Sequence, residues 1–218
     1  MCNIWTWILE DFWYEISAQS NNIPHLPADA FRSTGLVNLH NLLLKDCNIT
    51  DIDPDAFSGL GILIELDLTK NRIHTLHPGI FRDLIRVRYI YLNHNLLLKL
   101  EAGLFTNLIY LQTVEVSHCQ LSHISPNTFI NVTTLATLKL EGNRESNNIP
   151  HLPADAFRST GLVNLHNLLL KDCNITDIDP DAFSGLGILI ELDLTKNRIH
   201  TLHPDSPNDT TLPSTSSP

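Results

Sequence analysis

No apolar stretch in this 218-residue chain reaches the roughly 18 residues that a membrane-spanning helix requires. Basic residues are scarce: 14 Lys and Arg stand against 24 Asp and Glu, a net charge of −10. That balance argues against a nucleic-acid partner or an anionic membrane surface, since both favour basic patches. The signatures GxSxG, HExxH, GxxxxGK[ST] and GxGxxG are all missing, so neither an enzyme nor a cofactor is expected, and no catalytic residue is assigned. The opening Met1-Cys2-Asn3-Ile4-Trp5-Thr6-Trp7 has no basic residue before its apolar segment, and Glu10 and Asp11 interrupt that segment early, which makes it a poor secretion signal.

What the chain does contain is a repeat. Residues 63 to 81 reduce to LxxLxLxxNxIxxLxxxxF, with Leu66, Leu68, Asn71, Ile73, Leu76 and Phe81 at the fixed places. The Leu66-Asp67-Leu68-Thr69 part alternates with the period of a strand. One such unit cannot bury its apolar face alone and has to be stacked on others. With the Asn or Cys as marker, units fall at Asn21, Cys47, Asn71, Asn95, Cys119, Asn143, Cys173 and Asn197. Their spacings are 26, 24, 24, 24, 24, 30 and 24. Seven of the eight Phe form one further column: Phe31, Phe57, Phe81, Phe105, Phe129, Phe157 and Phe183.

Each column has a physical task. Stacked aliphatics make a continuous core, each buried side chain contributing roughly 1.5–3 kcal/mol. Asn amides can satisfy the peptide groups of the turn that leaves the strand. Cys fits the same slot as a weaker partner, so Cys47, Cys119 and Cys173 are expected as small buried hydrophobes. A disulfide between Cys47 and Cys119 is excluded by distance: three rungs at one strand spacing each are about 14 Å, against a limit of about 7 Å between Cα atoms.

The 24-residue unit, with its Leu ladder, Asn/Cys rung and Phe column, resembles the typical class of leucine-rich repeats, over about residues 15 to 204. That class is found in Toll-like receptor ectodomains, Slit-like guidance proteins and arthropod adhesion proteins. The resemblance implies an α/β-type leucine-rich repeat solenoid, a horseshoe. Its parallel sheet would line the concave face, with loops and 3₁₀ turns on the convex face and little regular helix. It also implies an extracellular or cell-surface, receptor-like protein; two features depart from such ectodomains, the missing Cys-rich caps and the poor secretion signal at the start.

The organisation follows. Residues 1–14, which hold all three Trp, read as an aromatic N-terminal cap; residues 15–204 as eight repeat units; and residues 205–218 as a disordered Ser/Thr/Pro tail. Ser20 to Pro78 recurs identically as Ser146 to Pro204, an offset of 126. This exceeds by four what five units require, so Asn143 and Asn147 compete for one rung. The expectation is that Leu138 and Leu140 keep the strand, Asn143 takes the rung and residues 144–148 bulge outward. With the tail unable to cover the last rung, that end of the core is expected to be open to water or to a second chain.

Other constellations carry less. Asp51, Asp53 and Asp55 begin like a calcium loop, but Ala56 and Ile62 stand where Gly and Glu are needed. His74 and His77 have no third ligand in their turn, and no metal is expected. Asn48, Asn131, Asn174 and Asn208 are N-glycosylation acceptors by sequence, a pattern that a chain rich in Asn, Ser and Thr also produces by chance.

The informative surface is the set of strand residues that alternate with the buried aliphatics and therefore face the concavity. It holds seven acids, among them Glu65, Asp67 and Glu115, against three lysines. Tyr89, Tyr91 and Asn93 lie in mid-array, with Leu43 two rungs away. Tyr buries a large area with few rotors and is enriched where proteins bind proteins. The expectation is a non-enzymatic module binding a protein ligand on this face, by acidic steering and aromatic anchoring. The alternative is a duplicated structural array that self-associates through its open C-terminal end.

Overall fold

The computed structural model describes residues 14–32, 36, 38–142, 147–154, 156–157 and 161–200. The N-terminal cap (except Tyr14), Asn143, Asn208 and the tail lie outside the described residues. Eight three-residue strands form one parallel sheet: Glu15–Ser17, Asn41–Leu43, Glu65–Asp67, Tyr89–Tyr91, Thr113–Glu115, Thr137–Lys139, Asn167–Leu169 and Glu191–Asp193. They pair strictly in chain order, so each coil lies on the one before it. The chain is a leucine-rich repeat solenoid. No α-helix appears among the described residues; turns and four two-stranded parallel ladders, such as His25–Leu26 beside Asp51–Ile52, form the other walls.

The alternation in the sequence decides the register. Ile16, Leu42, Leu66, Ile90, Val114, Leu138, Leu168 and Leu192 pair side by side through the sheet. Of these, Leu42 through Leu168 are fully buried, while their neighbours on either side face the concavity. Each strand is short because the chain turns sharply after it. Ser20, Asp46, Lys70, His94, His118, Asp172 and Lys196 all adopt a left-handed backbone, with φ between 54° and 59°. Asp and His tolerate that conformation better than most residues.

The next residue then closes the turn. Asn71 Oδ1 accepts the N–H groups of Cys47 at 2.9 Å and Ile49 at 3.0 Å. Its Nδ2 donates to the carbonyls of Leu44 and Leu68, each at 2.8 Å. One side chain thus satisfies four peptide groups and ties two coils together. Asn197 does the same for Cys173, Ile175, Leu170 and Leu194. The thiols do less. Cys47, Cys119 and Cys173 are free and buried, and each Sγ donates to one carbonyl of the preceding coil: Ala18, Leu92 and Leu140 at 2.9, 3.3 and 3.0 Å.

On the far side of the core the Phe column stacks. Successive ring centroids from Phe31 through Phe57, Phe81 and Phe105 to Phe129 are 6.3, 6.2, 5.5 and 5.1 Å apart. Phe157 and Phe183 form a second pair at 6.1 Å. The interruption falls at the junction of the duplicated segment.

That junction differs from expectation. Leu138 keeps the strand and Leu140 stays buried, but Asn147 fills the rung. Asn147 Oδ1 accepts Leu121 N–H at 3.1 Å, and its Nδ2 donates to Val116, Leu140 and Glu141 carbonyls at 3.3, 2.8 and 3.2 Å. Residues 147 and 148 therefore belong to the coil, and the four additional residues are 143–146. Past this point the two copies repeat each other's contacts. Thr50 and Thr176 hydroxyls donate to Pro24 and Pro150 carbonyls, both at 2.9 Å. His25 meets Asp51 at 2.9 Å, and His151 meets Asp177 at 2.8 Å. At these positions the identical sequence makes the same contacts in both places.

Candidate functional site

The sheet register assembles the candidate residues. Glu65 lies beside Tyr89 and Asp67 beside Tyr91, and on the other flank Thr113 and Glu115 take the corresponding places. Tyr89, Tyr91, Glu65, Asp67 and Glu115 are each partly exposed, as alternation with the buried Leu66, Ile90 and Val114 requires. The two Tyr rings are parallel within 4°, with centroids 6.5 Å apart. That is the wide end of the range for aromatic pairs, so the two rings stand parallel without tight contact. Tyr89 Oη donates to Gln112 Oε1 at 3.3 Å, which anchors one edge.

Asn93 and Glu115 build the neighbouring polar wall. Asn93 Nδ2 donates to Glu115 Oε2 at 2.8 Å, and Asn93 Oδ1 accepts the Ser117 N–H at 2.8 Å. The other Glu115 oxygen pairs with Lys139 Nζ at 2.7 Å. Glu65 has no such cation among the described residues. Burial, then the charges of Asp67 and Glu15, push its carboxyl above the usual value. Burial first, then Glu65, Glu115, Tyr89 and Asp67, push the Tyr91 phenol up as well. Burial is the larger cause of both shifts, and the neighbouring carboxylates add to it.

Leu43 is not part of this cluster. It pairs with Asp67, and Asp67 with Tyr91, which puts Leu43 two strand spacings, about 10 Å, from Tyr91. Four further residues at the site were not singled out from the sequence. Gln112 stands one residue before its strand, outside the alternating pattern. Ser117 lies on the face but looks unremarkable in sequence; its hydroxyl has no hydrogen-bond partner among the described residues, and the residue is only 6% exposed. His94 and His118 stack at 4.8 Å and 8° on the turns beside the site. Burial, then His118, Lys70 and Lys45, lower the His94 pKa.

The acceptor Asn residues are placed differently from one another. Asn48 Nδ2 donates to Asn22 Oδ1 at 2.9 Å and Asn174 Nδ2 to Asn148 Oδ1 at 2.7 Å, and both are partly buried. Asn131 is exposed, and its Nδ2 donates to Asn107 Oδ1 at 3.0 Å. Among the described residues no three His, Cys, Asp or Glu side chains gather as a metal site, and no helix is long and apolar enough to cross a membrane.

The family model described as Leucine rich repeat matches residues 37–97, 85–144 and 163–209, more than half of the chain. The chain belongs to the leucine-rich repeat family. This leucine-rich repeat chain is similar in structure to TLR13 in the crystal structure of a TLR13–ssRNA13 complex. The TM-score there is 0.75 at 27% identity over 83% of this chain and 24% of that one. It also resembles the Toll–Spatzle complex of Drosophila, with a TM-score of 0.70 at 20% identity over 84% of this chain and 27% of that one; this second likeness is one of fold. The leucine-rich repeat chain thus spans about a quarter of the length of either structure. No curated protein matches its sequence.

Proposed function

We propose that this leucine-rich repeat chain is a non-enzymatic recognition module that holds a protein ligand on its concave sheet, centred on Tyr89 and Tyr91. The observation that carries the reading is the pair itself: two parallel, partly exposed rings in the middle of an acidic sheet. Large, stiff side chains of this kind dominate binding energy where they sit at the centre of a patch. The Toll–Spatzle neighbour is a complex with another protein, and the likeness to Toll and TLR13 supports a receptor-like, extracellular or cell-surface setting. In that setting adhesion is one task such a face suits, and among the described acceptors the exposed Asn131 is the one best placed for a glycan. TLR13 was solved with single-stranded RNA, which makes nucleic acid the rival ligand class. Seven acids against three lysines on this face oppose a phosphate backbone and favour protein.

The test is selection of a random-peptide display library on the immobilised chain, followed by affinity measurement on Tyr89→Ala/Tyr91→Ala. A loss of tenfold or more is expected, with the far-UV spectrum unchanged. Equal affinity for both proteins overturns the concave-face reading.

A second reading rests on a different observation. On the last described coil Ile190 is 68% and Ile188 43% exposed, beside the strand Glu191–Asp193, which pairs on one side with Asn167–Leu169. An apolar, strand-edged end of this kind suits self-association. Light scattering over a dilution series decides: mass that falls with concentration supports it, and constant monomer mass removes it.

A further inference from the structure

We infer that the concave site takes the guanidinium of an arginine side chain, presented by a partner protein, against the Tyr89–Tyr91 surface and between the Glu65, Asp67 and Glu115 carboxylates. The inference rests on the concave-face reading and adds the chemistry of the ligand.

Four features of the site converge on that group. The two parallel rings each offer a flat π-face, and a cation over the face of Tyr is attracted by the ring quadrupole. A planar guanidinium matches such a surface better than a compact, strongly hydrated ammonium does. The acids stand on both flanks of Tyr91, Asp67 on one neighbouring strand and Glu115 on the other, with Glu65 beside Tyr89. Guanidinium reaches carboxylates through several N–H groups at once while its plane stays on a ring.

The charge around the pair is also unfinished. Lys139 satisfies one oxygen of Glu115, and Asp67 Oδ1 accepts the Thr69 N–H at 2.8 Å, but Glu65, with Asp67 on its own strand and Glu15 two strands away, has no cation among the described residues. An incoming positive charge relieves that repulsion. Finally, Ser117, two residues beyond Glu115 on the same face, holds a buried hydroxyl with no partner among the described residues. A buried unpaired hydroxyl is costly by itself, and rotation of the Ser117 side chain toward the face would give it a partner in the peptide that carries the arginine.

The test uses three defined peptides on the full chain, followed by ¹H–¹⁵N NMR: acetyl-Gly-Arg-Gly-amide, its citrulline analogue and its Glu analogue. Citrulline keeps the size and plane of Arg and removes the charge. The Arg peptide is expected to shift the amides of Glu65, Asp67, Tyr91 and Glu115 saturably, with a Kd at least tenfold below that of the citrulline peptide. Tyr91→Leu and Glu65→Gln should each weaken it several-fold, and a free N-acetylarginine amide should bind more weakly than the peptide. Equal shifts from the citrulline or Glu peptide overturn the arginine assignment and leave the concave surface standing as a site. Shifts from the Arg peptide that fall elsewhere, or none, also overturn it. The concave-face reading itself stands or falls on the display selection, so the two failures are told apart.

Discussion

Gly142 and Asn147 are packed so closely that a Cβ on Gly142 would lie 2.6 Å from Asn147 Cβ and 2.8 Å from its backbone nitrogen. The junction of the duplicated segment works because a residue without a side chain ends one coil where an amide from beyond the inserted residues enters the next. Gly142→Ala has to push that amide out of its rung. Asn147→Ala removes it and leaves the buried Leu121 N–H unsatisfied, at about 1–3 kcal/mol, while the Leu140 carbonyl keeps only the weaker Cys173 thiol. Both variants should therefore lose stability in urea, and the double variant should lose less than the sum, because the two changes break the same contacts. Full additivity would show that Asn147 does not act through this rung.

The Phe column makes a graded prediction. Phe105 is flanked by Phe81 at 5.5 Å and Phe129 at 5.1 Å and is fully buried. Phe105→Ala should cost about 3–5 kcal/mol. Phe183 is partly buried and touches Phe157 alone in the column, so Phe183→Ala should cost less than half as much. Equilibrium urea unfolding of both variants, compared at a common slope, is the check. A loss below about 1 kcal/mol at Phe105 would contradict its placement.

Much of this was legible in the sequence, because a repeat states the same rule many times. The paired columns of the sheet, the buried thiols and the Phe stack all follow from residues recurring at one interval. The rung at the junction did not follow, since counting 24 residues from Cys119 leads to Asn143. A better signal lay two positions beyond each candidate. Glu145 stands there after Asn143, where the other units carry Ile or Leu, whereas Ile149 stands there after Asn147 and is buried at 1% exposure. Burial of that aliphatic outweighs an even spacing. At the site the gap was of another kind. Tyr89, Tyr91 and the acids could be placed by alternation, but the Gln112 contact and the unpartnered Ser117 hydroxyl depend on side-chain geometry, which no periodicity encodes.

The thiol rungs can be tested chemically. Burial pushes the thiols of Cys119 and Cys173 up to about 12, and it raises that of Cys47 as well. Only the thiolate is nucleophilic, so these three should label with iodoacetamide in the native chain at least about a hundredfold more slowly than after unfolding. Cys119→Asn restores the acceptor that other rungs have, here for the N–H groups of Asn95 and Leu97 that face Sγ. It should be neutral or stabilising by up to about 1 kcal/mol, whereas Cys119→Ala should destabilise. Rapid labelling in mildly alkaline buffer, mapped to these positions by mass spectrometry, would refute their burial.

Glu65 should reveal a conflict between stability and binding. Its folded pKa is raised above the ordinary 4.5, so the folded state holds the proton more tightly than the unfolded chain does. The sign follows by linkage: the stability tied to this group is fully present below about 4.5 and is lost as pH rises through the folded value. Glu65→Gln should raise the Tm at neutral pH, do little to it below pH 4.5, and weaken the Arg peptide. A variant that loses stability at neutral pH would mean that Glu65 is held by a favourable partner.

His94 gives the opposite dependence beside the same surface. Its pKa is lowered from 6.5 by burial first and then by His118, Lys70 and Lys45, so the folded state prefers the neutral ring. The stability associated with it is complete above about 6.5 and is lost as pH falls from there through the folded value. The ring is stacked on His118 at 4.8 Å, and a proton there adds positive charge on the turns that border the acidic wall. Acidification should therefore weaken both the fold and a cationic ligand. Chemical denaturation at about pH 7.5 and about pH 5.5, on either side of the ordinary His value, should show a smaller drop for His94→Gln than for the parent chain. The same variant should retain more Arg-peptide affinity at the lower pH. Parallel losses in both proteins would place the acid sensitivity in other groups.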